Sequence, residues 1–424
     1  MEKLKIGVFG CGGRGSDLAA NFAKLGCEIV AILETHETRK KWAIEDMKAL
    51  GFDNVVCYDD FDSFINHDGL DIVILANYFH DHAKYAIKCF ERGIHVYSEC
   101  TSNGTMAEGV ALVRAFEKSS SIYMLAENYP QMKFNREIKR VCDGGTLGKF
   151  LYAEGEYNHP VSDYDIGFKQ IYNYFPEHWR NYLPRTYYIT HSLGPIMWAT
   201  GAVPKIVTAF SSFAPPAPDA PTADNNGDRI SIITTKNDDE SIFRVIGWGG
   251  LGAHHNSYRV CGTEGQIENL RGMGDKVMLR YNDWSIPEGM EEINCYEPSW
   301  NDPDEELIES SGHGGGDYLT ARMFIQCIKE GRQPECPFDV YSATVMASVA
   351  ILGHRSVLEG GKPYEIPDFR CEEWRVKYEN DTASPFLGLE DGSAPTVPCC
   401  SHTDYKASEE QIKNYRDALE AYTS

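Results

Sequence analysis

No apolar run in the 424-residue chain approaches the length of a membrane span, and the first strand begins without a charged-then-apolar leader. Both absences lead us to expect a cytoplasmic protein with no membrane partner. Basic residues are scarce: 40 Lys and Arg stand against 63 Asp and Glu, a net charge of -23, which disfavours nucleic acid and anionic membrane surfaces. The thirteen cysteines include no C-x-x-C pair and no metal-ligand spacing. Their number is odd, and Cys27, Cys57, Cys89 and Cys327 sit inside apolar patterns, so they read as reduced core residues, and no metal is expected. There is no internal repeat. What is present is the composition of an ordinary globular protein, 42% hydrophobic and long enough for roughly two or three domains.

The most informative stretch is Lys5 to Gly15, KIGVFGCGGRG. An apolar run breaks at Gly10-Cys11-Gly12-Gly13-Arg14-Gly15, and a helical pattern begins at once with Leu18, Ala19, Phe22 and Leu25. In a strand, glycine turn and helix so arranged, the helix N-terminus offers unpaired N–H groups to a pyrophosphate. A lone G-x-G-x-x-G is weak evidence, but a second strand (Ile29 to Leu33) follows and ends at Glu34. A carboxylate there accepts hydrogen bonds from ribose hydroxyls and repels a 2′-phosphate, which favours NAD over NADP even with Arg39, Lys40 and Lys41 nearby.

Strands and helices then alternate. Asp71 to Ala76 is an apolar run of the kind covered on both faces, and its end delivers Asn77, His80 and His82. A strand at His95 to Ser98, a Thr105/Glu108 capping box and a strand at Ile122 to Ala126 follow. This alternation predicts a doubly wound parallel sheet over residues 1–127. Beyond a helix at Phe134 to Cys142 and a strand at Phe150 to Tyr157, runs at 206–213, 230–235, 242–248, 258–261, 266–270 and 277–281 come without intervening helices. They predict a large, mainly antiparallel open sheet in a second α/β domain, 128–370, with late helices at 318–330 and 340–359. Residues 371–424 read as an extension ending in a helix capped by Ser408 and Gln411. The aromatic segment 164–188 carries no clear pattern.

These residues resemble the Gfo/Idh/MocA oxidoreductases, which pair an NAD(P)-binding Rossmann domain with an open-sheet α/β domain. The carriers in the first domain are Gly10, Gly12, Gly15, Asn77 with His82, and HVYSEC, where Glu99 matches the acid of the family's Glu-Lys-Pro motif. Cys100 stands where most of these dehydrogenases have a catalytic Lys, and Thr101 where they have Pro. That loss argues against a plain alcohol dehydrogenase, since some group must take the hydroxyl proton as the hydride leaves. A more specific resemblance is to glycoside hydrolase family 109, the NAD-dependent glycosidases. It rests on Ala126-Glu127-Asn128, EGEYNH (Glu154 to His159), Trp179-Arg180, YITHSLGP (Tyr188 to Pro195), HGGGD (His313 to Asp317), DVYSA (Asp339 to Ala343) and GGKPYEIPDF (Gly360 to Phe369).

The resemblance implies that Glu127 and Tyr157 lie near the nicotinamide and that Tyr188 and His191 are the acid/base residues at the sugar. With Tyr157, these form the catalytic set; Trp179, Arg180 and His313 would contact the substrate. Gly10, Cys11, Gly12, Gly13, Arg14, Gly15, Glu34, Asn77, His80, His82, Glu99, Cys100, Glu127 and Asn128 would bind NAD. In such an enzyme NAD oxidises sugar carbon 3, a base removes the acidified proton at carbon 2, the carbon 1 substituent leaves, water adds, and the hydride returns. An imidazole can take and return protons, so His191 suits the base. The alternatives are an ordinary NAD-dependent sugar or polyol dehydrogenase in which His191 replaces the Lys, and a non-catalytic NAD-binding regulatory protein. The family habit of burying the open sheet's outer face implies a homo-oligomer, a dimer or tetramer.

Overall fold

The computed structural model describes residues 3–167, 176–250, 252–388 and 392–423. The glycine-bounded apolar runs at the start of the chain form β1 (Lys5–Phe9), α1 (Gly13–Lys24), β2 (Glu28–Leu33), α2 (Glu37–Ala49), β3 (Val56–Tyr58), α3 (Phe61–Ile65), β4 (Ile72–Leu75), α4 (His82–Phe90), β5 (His95–Ser98), α5 (Met106–Phe116) and β6 (Tyr123–Leu125). All pairings are parallel and the order is β3-β2-β1-β4-β5-β6. All four β4 residues are buried, as a strand covered on both faces requires. The Thr105/Glu108 capping box is present at α5. The order reverses between β1 and β4, which opens a crevice at the carboxyl ends of these two strands.

The rest of the chain forms α6 (Lys133–Asp143), β7 (Phe150–Asn158), α7 (Thr190–Thr200), β8 (Pro204–Phe213), β9 (Asp228–Asn237), β10 (Ile242–Gly249), β11 (His255–Gly262), β12 (Gly265–Asn269), β13 (Val277–Tyr281), β14 (Ile293–Tyr296), α8 (Glu305–Glu309), α9 (Gly316–Glu330), α10 (Val340–Leu358), β15 (Tyr364–Glu365), α11 (Glu372–Tyr378) and α12 (Glu409–Thr423). The second sheet runs β14-β13-β12-β11-β7-β10-β9-β8-β15, antiparallel except for the β7–β10 pair. Ser408 and Gln411 bond reciprocally ahead of α12. The elements that patterning did not foresee are α3, β14, β15, α8 and α11. The burial of β14 only alternates between exposed and half-buried, β15 has two residues, and α8 buries none, so periodicity had little to register. Of the aromatic segment, residues 168–175 lie outside the described residues, and Trp179–Tyr182 form a 3₁₀ turn. Among the described residues no helix is long and apolar enough to cross a membrane. All thirteen cysteines are free thiols.

One packing feature joins the halves and another orders the second sheet. Ala321, Phe324 and Ile325 of α9 share a core with Ile6, Val8, Leu18 and Phe22 around β1 and α1. On the second sheet, Ala153, Gly155 and Tyr157 of β7 face inward, and α7 lies directly on Gly155. A Cβ there would sit 2.0 Å from the Ser192 carbonyl oxygen. Gly155→Ala should therefore push α7 off the sheet. We expect a loss of roughly 1–3 kcal/mol in denaturant unfolding, the range for overpacked cores, with an activity loss larger than the stability change explains.

Candidate active site

The crevice is built first from the glycine turn. Gly10 has a φ of +86°, and a Cβ there would come within 2.5 Å of the Ala76–Asn77 backbone. At Gly15 a Cβ would sit 2.1 Å from the Gly10 carbonyl oxygen, so only glycine lets α1 start hard against the end of β1. Gly12 is the N-cap of α1 and provides no side-chain cap, while Gly13 faces open space. The first N–H groups of α1 are thus left for an anion, and a dinucleotide pyrophosphate fits them. The Arg39 guanidinium lies 3.3 Å from where a Gly12 Cβ would be, which brings a cation to the same cradle. Cys11 is buried with its thiol toward the Val8 carbonyl, leaving its backbone at the turn. Glu34 follows β2, where Oε1 accepts the His36 N–H at 3.0 Å.

Arg14 gives its guanidinium to acids of the protein. It pairs with Glu99 and, at 2.8 Å, with Asp317. Asp317 also accepts from Asn128 Nδ2 (2.6 Å) and bonds His313 Nδ1 (2.9 Å). Burial would raise the Asp317 carboxyl, yet the His313 hydrogen bond and the Arg14 charge hold it well below the usual carboxylate range. Glu99 Oε2 accepts the Cys100 N–H at 3.0 Å. The glycine turn, the end of β5 and the start of α9 are thereby tied into one ionic cluster. His82, fully buried, bridges the Thr101 and Asn77 carbonyls at 3.0 and 3.2 Å and so staples the ends of β4 and β5. Asn77 Nδ2 donates to the Tyr78 carbonyl at 3.3 Å. His80 stacks on Phe386 of the C-terminal extension, ring centroids 5.0 Å apart, with neither ring nitrogen hydrogen-bonded.

Across the crevice stands a carboxylate–imidazole pair. Glu127, just past β6, is completely buried, and both its oxygens reach His191 Nδ1, at 2.9 and 3.0 Å. It also accepts from the Tyr129 N–H (3.1 Å) and the Cys100 thiol (3.3 Å). Burial pushes this carboxyl up, but the charge and hydrogen bond of His191 bring it below its ordinary value. His191 lies in the first turn of α7, and the Tyr258 hydroxyl donates to its carbonyl at 2.6 Å. Its ring is stacked on Tyr129 (4.1 Å) and met edge-on by Tyr157 (5.1 Å) and Tyr188 (5.4 Å), which stack on each other at 5.5 Å.

The structure therefore gathers His191, Tyr188, Tyr157, Glu127 and Cys100 at one point. The Arg180 guanidinium lies 4.5 Å from the Trp179 ring and 5.8 Å from that of Tyr188, while Trp179 packs edge-on against Phe79 of the β4 loop. His313, at a φ of 54°, stands 5.8 Å from the Tyr129 ring. Sequence reasoning passed over Tyr129, Tyr258 and the anchoring part of Asp317. Tyr129 adjoins the matched Glu127-Asn128 and was within reach; Tyr258 is one inward aromatic of a strand and carries no signal of its own. Among the described residues no group of three or more His, Cys, Asp and Glu is placed to hold a metal ion.

A Rossmann sheet with an open anion cradle, facing a second sheet that presents a carboxylate-held imidazole, defines a two-domain nicotinamide-dependent oxidoreductase. Residues 4–127 match the oxidoreductase family with an NAD-binding Rossmann fold, and residues 209–376 match the glycosyl hydrolase 109 C-terminal domain. The first match makes the N-terminal part an NAD-binding Rossmann domain of the oxidoreductase type, with NAD as the cofactor, and the second is shared with glycosyl hydrolase family 109 proteins. The chain is 24% identical over 412 residues to a glycosyl hydrolase family 109 protein of Porphyromonas gingivalis, covering 88% of this chain and 86% of the relative. To one of Solibacter usitatus it is 25% identical over 409 residues, covering 88% and 90%. Among solved structures it is similar to levoglucosan dehydrogenase in complex with NADH and levoglucosan (TM-score 0.71, 18% identity, 87% of this chain, 100% of that one). It is also similar to aldose-aldose oxidoreductase from Caulobacter crescentus (TM-score 0.65, 16% identity, 86% and 100%). At these identities the solved structures show a shared fold.

The buried histidines around this site make stability pH-dependent. Burial, then the charge of His82, holds His80 down to about 4 from 6.5; burial, then Arg180, Arg39 and His80, holds His178 to about 3; burial holds His354, whose Nε2 bonds the Pro398 carbonyl, to about 4. The unfolded chain binds these protons near 6.5 and the folded chain only well below, so unfolding takes up protons in between. Stability should fall as pH drops from about 6.5 toward 4, by roughly 1.4 kcal/mol per pH unit for each histidine. Denaturant titrations at pH 7 and 5 check this, and replacing His80 with Gln should flatten the slope.

Proposed function

We propose that the protein cleaves a glycoside through transient oxidation of the sugar at carbon 3, elimination of the carbon 1 substituent, addition of water and re-reduction. The observation that carries this reading is the buried Glu127–His191 pair, flanked by Tyr157 and Tyr188, beside a thiol at position 100. The glycosyl hydrolase name of the sequence relatives supports it. NAD, when bound in the cradle, supplies a hydride acceptor that can return what it took.

The remaining chemistry is proton transfer by this chain's own residues. Glu127 engages His191 Nδ1 and so leaves Nε2 as the base. As the hydride leaves carbon 3, His191 Nε2 takes the hydroxyl proton there and releases it to solvent; in the 3-keto sugar the proton at carbon 2 is acidic, His191 Nε2 takes it in turn, and the Glu127 carboxylate stabilises the imidazolium formed each time. The Tyr188 hydroxyl protonates the departing oxygen at carbon 1, with the Arg180 guanidinium 5.8 Å from its ring. Water adds by the reverse of these transfers. Tyr157, stacked on Tyr188, holds that ring in place, and Trp179, Arg180 and His313 contact the sugar. His191 Nε2 also suits removal of a hydroxyl proton in plain sugar dehydrogenation, which is the competing reading.

We read residues 1–127 as the cofactor domain, 128–370 as the substrate and oligomerisation domain and 371–424 as an extension. We place the protein in the cytoplasm, where thirteen free thiols are stable. A homo-oligomer, dimer or tetramer, would cover the exposed Ile206, Phe210, Ile232 and Ile242 on the outer face of the second sheet.

Aryl glycosides of both anomers, turned over in deuterium oxide, test the reaction. The expected result is deuterium at carbon 2 of the released sugar with no net NADH; stoichiometric NADH without that label overturns the glycosidase reading. His191→Ala should lower turnover by about 10²–10⁴ while NAD stays bound, as measured by absorbance of the purified protein.

A further inference from the structure

We propose that Cys100 is a positioning residue that acts through Glu127 to set the proton affinity of His191. Its thiol donates to Glu127 Oε2 at 3.3 Å, and the same carboxylate holds His191 Nδ1. A neutral donor at this position steadies Glu127 without neutralising it, so the negative charge is left to His191. A cation in its place would share that charge and make the imidazole a weaker base.

The environment supports the assignment. Burial, followed by the charges of Glu127 and Glu99, pushes the Cys100 thiol well above its ordinary value, so it stays protonated and donates. Glu99, next in the chain, is engaged by Arg14 and by the Cys100 N–H, and Arg14 is shared with Asp317. The groups facing Glu127 and His191 from the other elements are Thr190 and Tyr188 at the start of α7, Tyr129 after β6, Tyr157 of β7 and Tyr258 of β11. Arg180 reaches the pair only across the Tyr188 ring, and His313 only across that of Tyr129. Of these neighbours, Cys100 is the side chain that touches the carboxylate from the cofactor domain and can be changed without altering a ring stacked on His191.

The inference rests on the reading of His191 as the base, but its primary test does not need turnover. His191 is titrated by NMR in full-length protein carrying ¹³C-histidine, with its signal assigned by loss in His191→Gln. Cys100→Ser keeps a donor, Cys100→Val removes it, and Cys100→Lys supplies a cation. The expected order of His191 midpoints is Lys below Ser and Ser below Val, the Lys variant falling by about one pH unit or more. The acid limb of kcat/KM should move the same way, because the unprotonated Nε2 is the active form. If Cys100→Lys fails to fold, the Ser and Val pair still decides the donor effect. Equal midpoints in the folded variants, or Val falling below Ser, overturn the proposal. Shifted midpoints with an unmoved acid limb would leave the coupling intact and instead remove His191 as the base.

Discussion

The buried carboxylate of Glu127 is the constraint on which the site depends. An isolated charge with no exposed surface is strongly disfavoured, and it persists only where donors surround it. Here the donors come from separate segments: His191 Nδ1 from α7, the Tyr129 N–H from the turn after β6, and the Cys100 thiol from the end of β5. Satisfying one acid therefore fixes how the first sheet meets the helix that lies on the second. Gly194 of α7 approaches so closely that a Cβ would stand 2.9 Å from Glu127 Cγ, and Gly155 beneath α7 leaves similarly little room.

Asp317 does for the glycine turn what Glu127 does for His191. It is nearly buried and receives Arg14, Asn128 and His313, which binds the glycine turn to α9. Arg14 is thereby held against the protein's own acids at the start of α1, with the Arg39 guanidinium beside the Gly12 turn. The two carboxylates divide the labour: one orders the cofactor loop, the other orders an imidazole.

Solved levoglucosan dehydrogenase and aldose-aldose oxidoreductase share the fold. At position 100 this chain has a thiol where a resident ammonium would compete for Glu127, and in the proposed reaction the burden passes to His191. The Phe386 ring on His80 shows that the extension beyond residue 371 also reaches the cofactor side of the crevice.

Much of this was readable in the order of residues. Local rules suffice for KIGVFGCGGRG, for DIVILA and for the capping boxes at Thr105 and Ser408, because each depends on neighbours within a few positions. The parallel sheet and the succession of antiparallel strands followed from periodicity, and the NAD cradle followed from glycines whose spacing has one geometric reason. Elements without a buried face, β14, α8 and the two-residue β15, left no pattern to read. Nor did the partners of the key acids. Glu127 meets His191 across 64 positions and Arg14 meets Glu99 across 85; no periodicity links such distant residues, which come within hydrogen-bond reach only in the folded chain. By itself, then, the sequence determined the elements and the cofactor cradle, whereas the pairing of Glu127 with His191 and Cys100 was decided by the tertiary structure, because a buried charge must find its donors wherever the folded chain provides them.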